Sequence, residues 1–319
     1  MRALLVEQFG GAEVMHAGDL GIPDPALDEV LVRVLAAGTG PWDVERRRGG
    51  WRGPLPYVPG AQFAGLVVGN TGAGAGFQDG APVYGWPGPG GCHAQYVTCH
   101  VEQLAPIPAG LRVTDAAAVP VDALTADQGI TDALAVGAAD QVLITDAASG
   151  LGHFAVQLAR ALGATVVATA RPRDHQLVHR LGAAVVVDET AADWPDEVRK
   201  ATDGGADKVL ACAGSSLPGA ARAARDGAPA ATPVRAGTPV QAALPDPHRI
   251  DWHRYEGRPS GSRLIRMAPR FDDGTLTVQV SAMYYWQDAA QAHRLVEQGG
   301  ILGEVVLVVD DDLAAALEV

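Results

Sequence analysis

The chain has 319 residues, is 48% hydrophobic and carries a formal net charge of −13. That length accommodates two domains with their own cores, and the acidic balance argues against nucleic acid and anionic membrane surfaces as main partners. No apolar run approaches a membrane span, and Met1-Arg2-Ala3-Leu4 opens a strand-like segment rather than a signal peptide, so a cytoplasmic protein is expected.

Residues 1 to about 122 read as β-rich. Alternating segments at 1–6, 29–37, 63–68 and 94–98 are separated by Gly/Pro-rich turns, and a short strand at 82–85 lies within the glycine-rich stretch 69–91. Helical signals follow at Thr114-Asp115-Ala116-Ala117 and over 125–136. Strand and helix then alternate through 141–146, 151–162, 164–170, 174–181, 184–188, 194–201 and 208–212. Such alternation predicts a parallel sheet with right-handed crossovers. The next strand, 227–234, carries Pro229 and Pro233, and proline removes a ladder donor, so it is expected at an edge or irregular. Residues 235–262 have no clear period. A helix at 262–272, a strand at 276–280, a helix at 288–298 and a strand at 304–309 close the chain. The fold class is therefore α/β, a doubly wound parallel-sheet domain plus a β-rich domain.

The stretch with the most chemical content is 142–160. Val142 to Thr145 form a short buried strand, a turn of small residues follows, and an apolar helical pattern runs through Leu151, Phe154, Ala155, Leu158 and Ala159. Strand, tight turn and helix start bring backbone N–H groups against a pyrophosphate. Against G-x-G-x-x-G the turn offers Ala147, Ser149 and Gly152, so only the last glycine remains. Gly150 and Leu151 complete the candidate phosphate cradle. The second strand ends at Arg171-Pro172-Arg173, where an NAD site usually carries a carboxylate for the ribose 2′-hydroxyl. Two guanidinium groups there favour a 2′-phosphate, hence NADP(H); the alternative is two solvated charges after a strand. His153, just past the turn, reads as an exposed helix residue rather than a proton donor.

The three cysteines, Cys92, Cys99 and Cys212, have no metal-ligand spacing and no disulfide framework, which suits a reducing compartment. Cys92, Cys99 and His100 read as residues near strand ends rather than as zinc ligands.

The order of these pieces resembles the medium-chain dehydrogenase/reductase superfamily, in its zinc-free quinone oxidoreductase, or zeta-crystallin-like, branch. The motifs that carry the resemblance are Ala36-Ala37-Gly38-Thr39-Gly40-Pro41-Trp42-Asp43 (family AAGVNPxD), Val58-Pro59-Gly60-Ala61-Gln62-Phe63-Ala64-Gly65 (VPGxDxAG), Phe77-Gln78-Asp79-Gly80, Asp115-Ala116-Ala117-Ala118-Val119-Pro120, Leu124-Thr125-Ala126 and Ala289-Ala290-Gln291-Ala292-His293-Arg294-Leu295. The resemblance implies a β-rich GroES-like domain at 1–122 and 260–319, and a Rossmann domain at 123–259. It also implies a homodimer acting on an apolar or aromatic carbonyl compound, with hydride transfer to a quinone or enone. The turn at 38–43 and the strand start at 60–65 are implied to face the nicotinamide, with Thr125 and Ala213 as further cofactor contacts.

The chain departs from the family at informative places. Gly40 replaces the family Asn, which implies a wider pocket with fewer donors there; Gln62 replaces Asp; Gly303-Glu304-Val305-Val306 replaces Gly-Lys-Val-Val. Gly60-Ala61-Gln62 replaces the Gly-His-Glu of zinc-dependent relatives, so no metal is expected. Candidate catalytic positions are Gly40, Asp43, Tyr57 and Gln62. Asp43 serves the site or is a local turn acceptor; Gln62 donates to a substrate carbonyl or bonds structurally; Trp42, Tyr57 and Trp86 wall an aromatic pocket or pack the domain. The turn at 145–152 also resembles the TGxxxGxG of short-chain dehydrogenases. Their Tyr-x-x-x-Lys pair cannot be made, because the only lysines are Lys200 and Lys208 and neither has a tyrosine four residues earlier. An alternative on the same scaffold is a redox-neutral cyclase or isomerase in a biosynthetic pathway, because fold does not fix function.

Overall fold

Period-two alternation organises the first part of the chain. In the strand 29–39, Val30, Val32 and Val34 are fully buried while Glu29, Leu31 and Arg33 keep some exposure. The computed structural model describes residues 1–50, 53–70, 76–234 and 244–318. Its elements up to residue 128 are β1 (Arg2–Val6), β2 (Met15–Asp19), β3 (Glu29–Thr39), α1 (Pro41–Arg47), β4 (Gln62–Asn70), β5 (Pro82–Gly85), β6 (Tyr96–His100), β7 (Leu104–Pro106), α2 (Val113–Ala116) and α3 (Pro120–Gln128). Then come β8 (Gln141–Ile144), α4 (Gly150–Ala161), β9 (Thr165–Ala170), α5 (His175–Leu181), β10 (Val185–Asp188), α6 (Trp194–Ala201), β11 (Lys208–Leu210), α7 (Leu217–Ala223), β12 (Pro229–Val234) and β13 (Asp251–Glu256). The chain ends with α8 (Gly261–Asp272), β14 (Val280–Tyr285), α9 (Ala289–Gln298), β15 (Glu304–Val308) and α10 (Asp311–Leu317).

The chain divides into two compact units, residues 1–124 with 258–319, and residues 125–257. The first unit holds a seven-stranded sheet in the order β14-β15-β3-β4-β5-β7, with β6 also paired to β3. All its pairs are antiparallel except β14 with β15. Its core gathers Val30, Val32, Val34, Phe63, Leu104, Trp286 and Leu307.

The second unit is a six-stranded, all-parallel sheet in the order β10-β9-β8-β11-β12-β13. Relabelled from its own first strand, that order is 3-2-1-4-5-6, the doubly wound dinucleotide-binding arrangement. Val142, Leu143 and Ile144 are all fully buried, as expected of a strand covered on both faces. The order reverses between β8 and β11, so their C-terminal ends mark the ligand crevice.

The structure corrects several sequence expectations. The proline-containing strand is regular and interior: β12 lies between β11 and β13. Ala231 O accepts from Ala211 N, so residues 229, 231 and 233 direct their backbone groups towards β11. β11 pairs only with Ala230 and Ala231, so Pro229 and Pro233 flank that pairing and the ladder stops where Pro233 has no N–H to give. Within the aperiodic stretch, Asp251–Glu256 forms the edge strand β13; residues 235–243 lie outside the described residues, as do 71–75 of the glycine-rich stretch. The strand expected at 276–280 instead begins at Val280. The helix expected over 125–136 begins earlier, at Pro120, and passes after Gln128 into a single π-type turn. Among the described residues, no helix is long and apolar enough to cross a membrane.

Candidate active site

In the parallel-sheet unit, a tight turn joins β8 to α4, the strand–turn–helix geometry that a phosphate cradle requires. The left-handed residue is Asp146 (φ 51°), one position before the place of the first family glycine, so Ala147 needs no unusual conformation. Ser149 caps α4: its Oγ accepts from Gly152 N at 3.1 Å and donates to Asp146 O at 2.7 Å. Gly152 is required by packing. A Cβ there would collide with Asp146 O and lie 2.7 Å from Ala147 Cα, which is the close helix–strand approach of the fingerprint's third glycine. The Gly150 and Leu151 amides start the helix, where geometry provides no intrahelical acceptor. These residues fit a dinucleotide pyrophosphate.

A hydroxyl chain ties the two strands at the crevice. Thr145, fully buried, accepts from Cys212 N at 3.1 Å and donates to Ser216 Oγ at 2.7 Å. Ser216 Oγ in turn donates to Ala213 O at 2.7 Å. This fixes the backbone at Ala213. Sequence reading missed Thr145 and Ser216, although a Thr ending a buried strand was a usable signal. Thr125, nine-tenths buried, has its carbonyl bonded by Tyr255 OH at 3.0 Å.

At the end of β9 the structure corrects a premise. No carboxylate follows β9 directly, but Glu189, after β10, stands with its Oε1 3.6 Å from Arg171 Nε. Arg173 Nε is 3.6 Å from Asp174. Both arginines thus have acidic neighbours. Burial raises the Asp146 pKa, and Arg171 opposes that rise. Glu189 is pushed up to about 7, first by burial and then by Asp146.

His153 is also corrected: it is fully buried, not exposed. Its Nδ1 donates to Ser149 O at 3.0 Å, its ring sits 3.9 Å from that of Phe154, and burial pushes its pKa down to about 4. It is a neutral packing residue of α4.

In the other unit, three of the four candidates, Gly40, Asp43 and Gln62, meet at the end of β3. Gly38 pairs with Gln62 on one side, and Val305 with Thr39 on the other, which brings Glu304 alongside Gly40. Asp43, in the first turn of α1, accepts from Gly40 N at 3.1 Å and from Gly60 N at 2.9 Å. It therefore fastens the two motif loops together. Burial raises its pKa, opposed chiefly by His93. His93 Nε2 lies 3.2 Å from Thr39 Oγ1 and 3.3 Å from Gly38 O.

Gln62 is fully buried, and its Oε1 accepts from Val121 N at 2.8 Å, which fixes the amide's orientation. Its Nε2 has no hydrogen-bond partner. Gly38 makes room for that nitrogen; a Cβ at Gly38 would occupy its place and also approach Ala117 O to 2.8 Å. Glu304 is buried, hydrogen-bonded to Asp122, and held protonated by burial and by that neighbour.

Gly40 does not open a wider pocket: a Cβ there would run into the Trp42 indole, which fills the space. Tyr57 is buried, its ring covered by the Arg46 guanidinium at 3.9 Å, and burial pushes its pKa up to about 12. Its hydroxyl has no partner. Trp86 retains partial exposure. Among the described residues, no group of three or more His, Cys, Asp or Glu side chains is arranged to hold a metal ion.

Comparison with known proteins agrees with both units. The family described as alcohol dehydrogenase GroES-like domain matches residues 26–109, and that described as zinc-binding dehydrogenase matches 150–233. The quinone oxidoreductase of Rattus norvegicus is 26% identical over 97% of this chain and 98% of its own length. The chloroplastic NADPH-dependent alkenal/one oxidoreductase of Arabidopsis thaliana is 32% identical over 62% of this chain and 55% of its own. A solved NAD-dependent alcohol dehydrogenase is 33% identical, with a TM-score of 0.89 over 97% of this chain and 100% of that one. Similar along nearly its whole length to quinone oxidoreductases, the chain is an oxidoreductase and belongs to the medium-chain dehydrogenase/reductase superfamily.

Proposed function

We propose that the protein transfers a hydride from NADP(H) to a quinone or an α,β-unsaturated carbonyl compound, without zinc. The observation that carries this reading is the Gln62 amide. A buried N–H donor left unpaired costs about 1–3 kcal/mol, and here it is held in place by its own oxygen's bond to Val121. That nitrogen is closed off beside Gly38 here, so a substrate carbonyl oxygen satisfies the donor only where the Gly38 turn gives way, and the bond then strengthens as negative charge gathers on the oxygen. Bound at the β8–α4 turn, the dinucleotide supplies the hydride. Asp43 keeps the backbone at Gly40 and Gly60 in place, and Tyr57 and Trp42 offer apolar ring surface. Arg171 and Arg173 are the groups that favour the 2′-phosphate. The zinc-free reading rests on Gly60-Ala61-Gln62 standing where zinc-dependent relatives carry ligands. The same proposal takes the protein as a cytoplasmic homodimer with an apolar or aromatic carbonyl substrate.

Cofactor binding is followed by fluorescence, then NADPH oxidation by absorbance across a panel of quinones and enones with a chelator present. Oxidation with at least one panel member, unchanged by the chelator, supports the proposal. Gln62→Leu should lower kcat/KM about tenfold or more at unchanged NADPH affinity. Tight NADPH binding with no oxidation of any panel member argues against hydride transfer. It favours the second reading, a redox-neutral cyclase or isomerase, which the protonated Glu304 beside Asp122 supports as a buried proton source.

A further inference from the structure

We propose that Glu189 sets the balance between NADP(H) and NAD(H) in this protein by competing with the 2′-phosphate for Arg171. The inference rests on the reading that Arg171 and Arg173 receive that phosphate.

Glu189 comes from a different strand than the arginines, and the sheet brings them together. β10 runs parallel to β9 with Asp188 opposite Ala170, and Glu189 N donates to Ala170 O at 3.1 Å. The backbone is thereby anchored beside the end of β9, with the carboxylate 3.6 Å from Arg171 Nε. The charged groups acting on Glu189 come from every neighbouring element: Asp146 from the turn after β8, Arg171 after β9, Asp174 before α5 and Asp188 on β10. Asp174 is itself beside Arg173. His175, at the start of α5, is bonded to Ala170 O and acts on Asp188.

Partial burial first, then Asp146, Asp174 and Asp188, push Glu189 up to about 7 against the opposing pull of the Arg171 guanidinium. It therefore changes charge across neutral pH. Ionised, it holds Arg171, repels a phosphate dianion and offers an acceptor of the kind a ribose 2′-hydroxyl uses in NAD sites. Protonated, it releases Arg171 to the phosphate. The sign is fixed: preference for NADPH falls as pH rises. A 2′-phosphate acting alone gives the opposite slope, because it completes its ionisation above about pH 6 and then binds arginine more strongly.

NADPH and NADH are titrated by fluorescence at pH 6.5, 7.5 and 8.5. In the unaltered protein the ratio of NADPH to NADH affinity should drop by about fivefold or more over this range. In Glu189→Gln the ratio should hold or rise with pH, and NADPH should bind about tenfold more tightly than the unaltered protein at pH 8.5. A Glu189→Gln slope equal to that of the unaltered protein overturns the proposal, as does a ratio that rises with pH in the unaltered protein. Arg171→Ala at pH 6.5 separates the two layers of the argument. Weaker NADPH binding in Arg171→Ala with no effect of Glu189→Gln removes the role of Glu189 alone. No effect of either substitution removes the phosphate reading with it.

Discussion

Asp43 offers the sharpest test of how the site is held. Both its oxygens are engaged by buried backbone amides, Gly40 N at 3.1 Å and Gly60 N at 2.9 Å. Hydrogen bonds to a charged group contribute about 1.5–3 kcal/mol each. Asp43→Ala leaves two buried amides unpaired, and the relief of burying a carboxylate offsets part of the loss. The expected net cost is about 2–5 kcal/mol, a large share of ordinary domain stability. For a unit of this size, that corresponds to a fall in Tm of about 4–20 °C. Asp43→Asn retains one acceptor and should lose about half as much. Urea and thermal denaturation read the stability; a pH profile of kcat/KM reads the chemistry. A fastening residue predicts graded stability losses, Asn before Ala, with an unchanged pH profile in the folded fraction. Asp43→Ala as stable as the unaltered protein, yet inactive, would refute the argument and make Asp43 a catalytic group.

Three further outcomes follow from the geometry. Gly152→Ala should cost about 1–3 kcal/mol by urea denaturation, because its Cβ meets backbone rather than a movable side chain, and should weaken NADPH binding in a fluorescence titration. Glu304 has a raised folded-state pKa, so the folded protein keeps a proton that the unfolded chain loses. Stability should then decline as pH rises above about 4.3, the ordinary glutamate value. Urea denaturation of Glu304→Gln at several pH values should show a flatter decline, and an identical decline would count against the protonated pair. Gly40→Asn should destabilise through its clash with Trp42, and Gly40→Asn with Trp42→Ala should recover part of that loss; equal Tm values for the single and double variants would contradict this.

Much of the parallel-sheet unit is legible in the sequence because its signals are local. The strand Val142–Thr145, the cap at Ser149 and the glycine at 152 lie within one short segment, and each has one physical reason. What stayed hidden depends on neighbours distant in sequence. Asp251–Glu256 reads as polar, Asp-Trp-His-Arg-Tyr-Glu, and becomes a strand by pairing along all six residues of β12. The prolines of β12 are harmless only because β11 is short, which no property of β12 itself reveals. Glu189 reaches Arg171 through the β9–β10 register, eighteen positions along the chain. His153 looked exposed because a histidine near a helix start usually is; here the whole first two turns of α4 are buried. The space at Gly40 could not be judged without knowing where the Trp42 ring goes.

The discontinuity of the first unit has a consequence for how the chain matures during synthesis. Residues 125–257 emerge from the ribosome as one uninterrupted segment and contain every strand of the parallel sheet. The other sheet waits. Its β3 cannot receive β15 until residue 305 has been made, when Val305 comes to pair with Thr39. Closing so long a loop costs about 5 kcal/mol of chain entropy if the intervening segment is unfolded. A segment already folded behaves as a much shorter tether, so early completion of the parallel sheet lowers that cost. Until then, residues 36–39 of β3 lack a partner on the edge whose other end already pairs with β6, and such an edge is a site for misassociation. Glu304 and the Gly40 turn thus become neighbours only once residue 304 has been made, and a chain truncated before it should retain the parallel sheet while lacking the β15 pairing of the other.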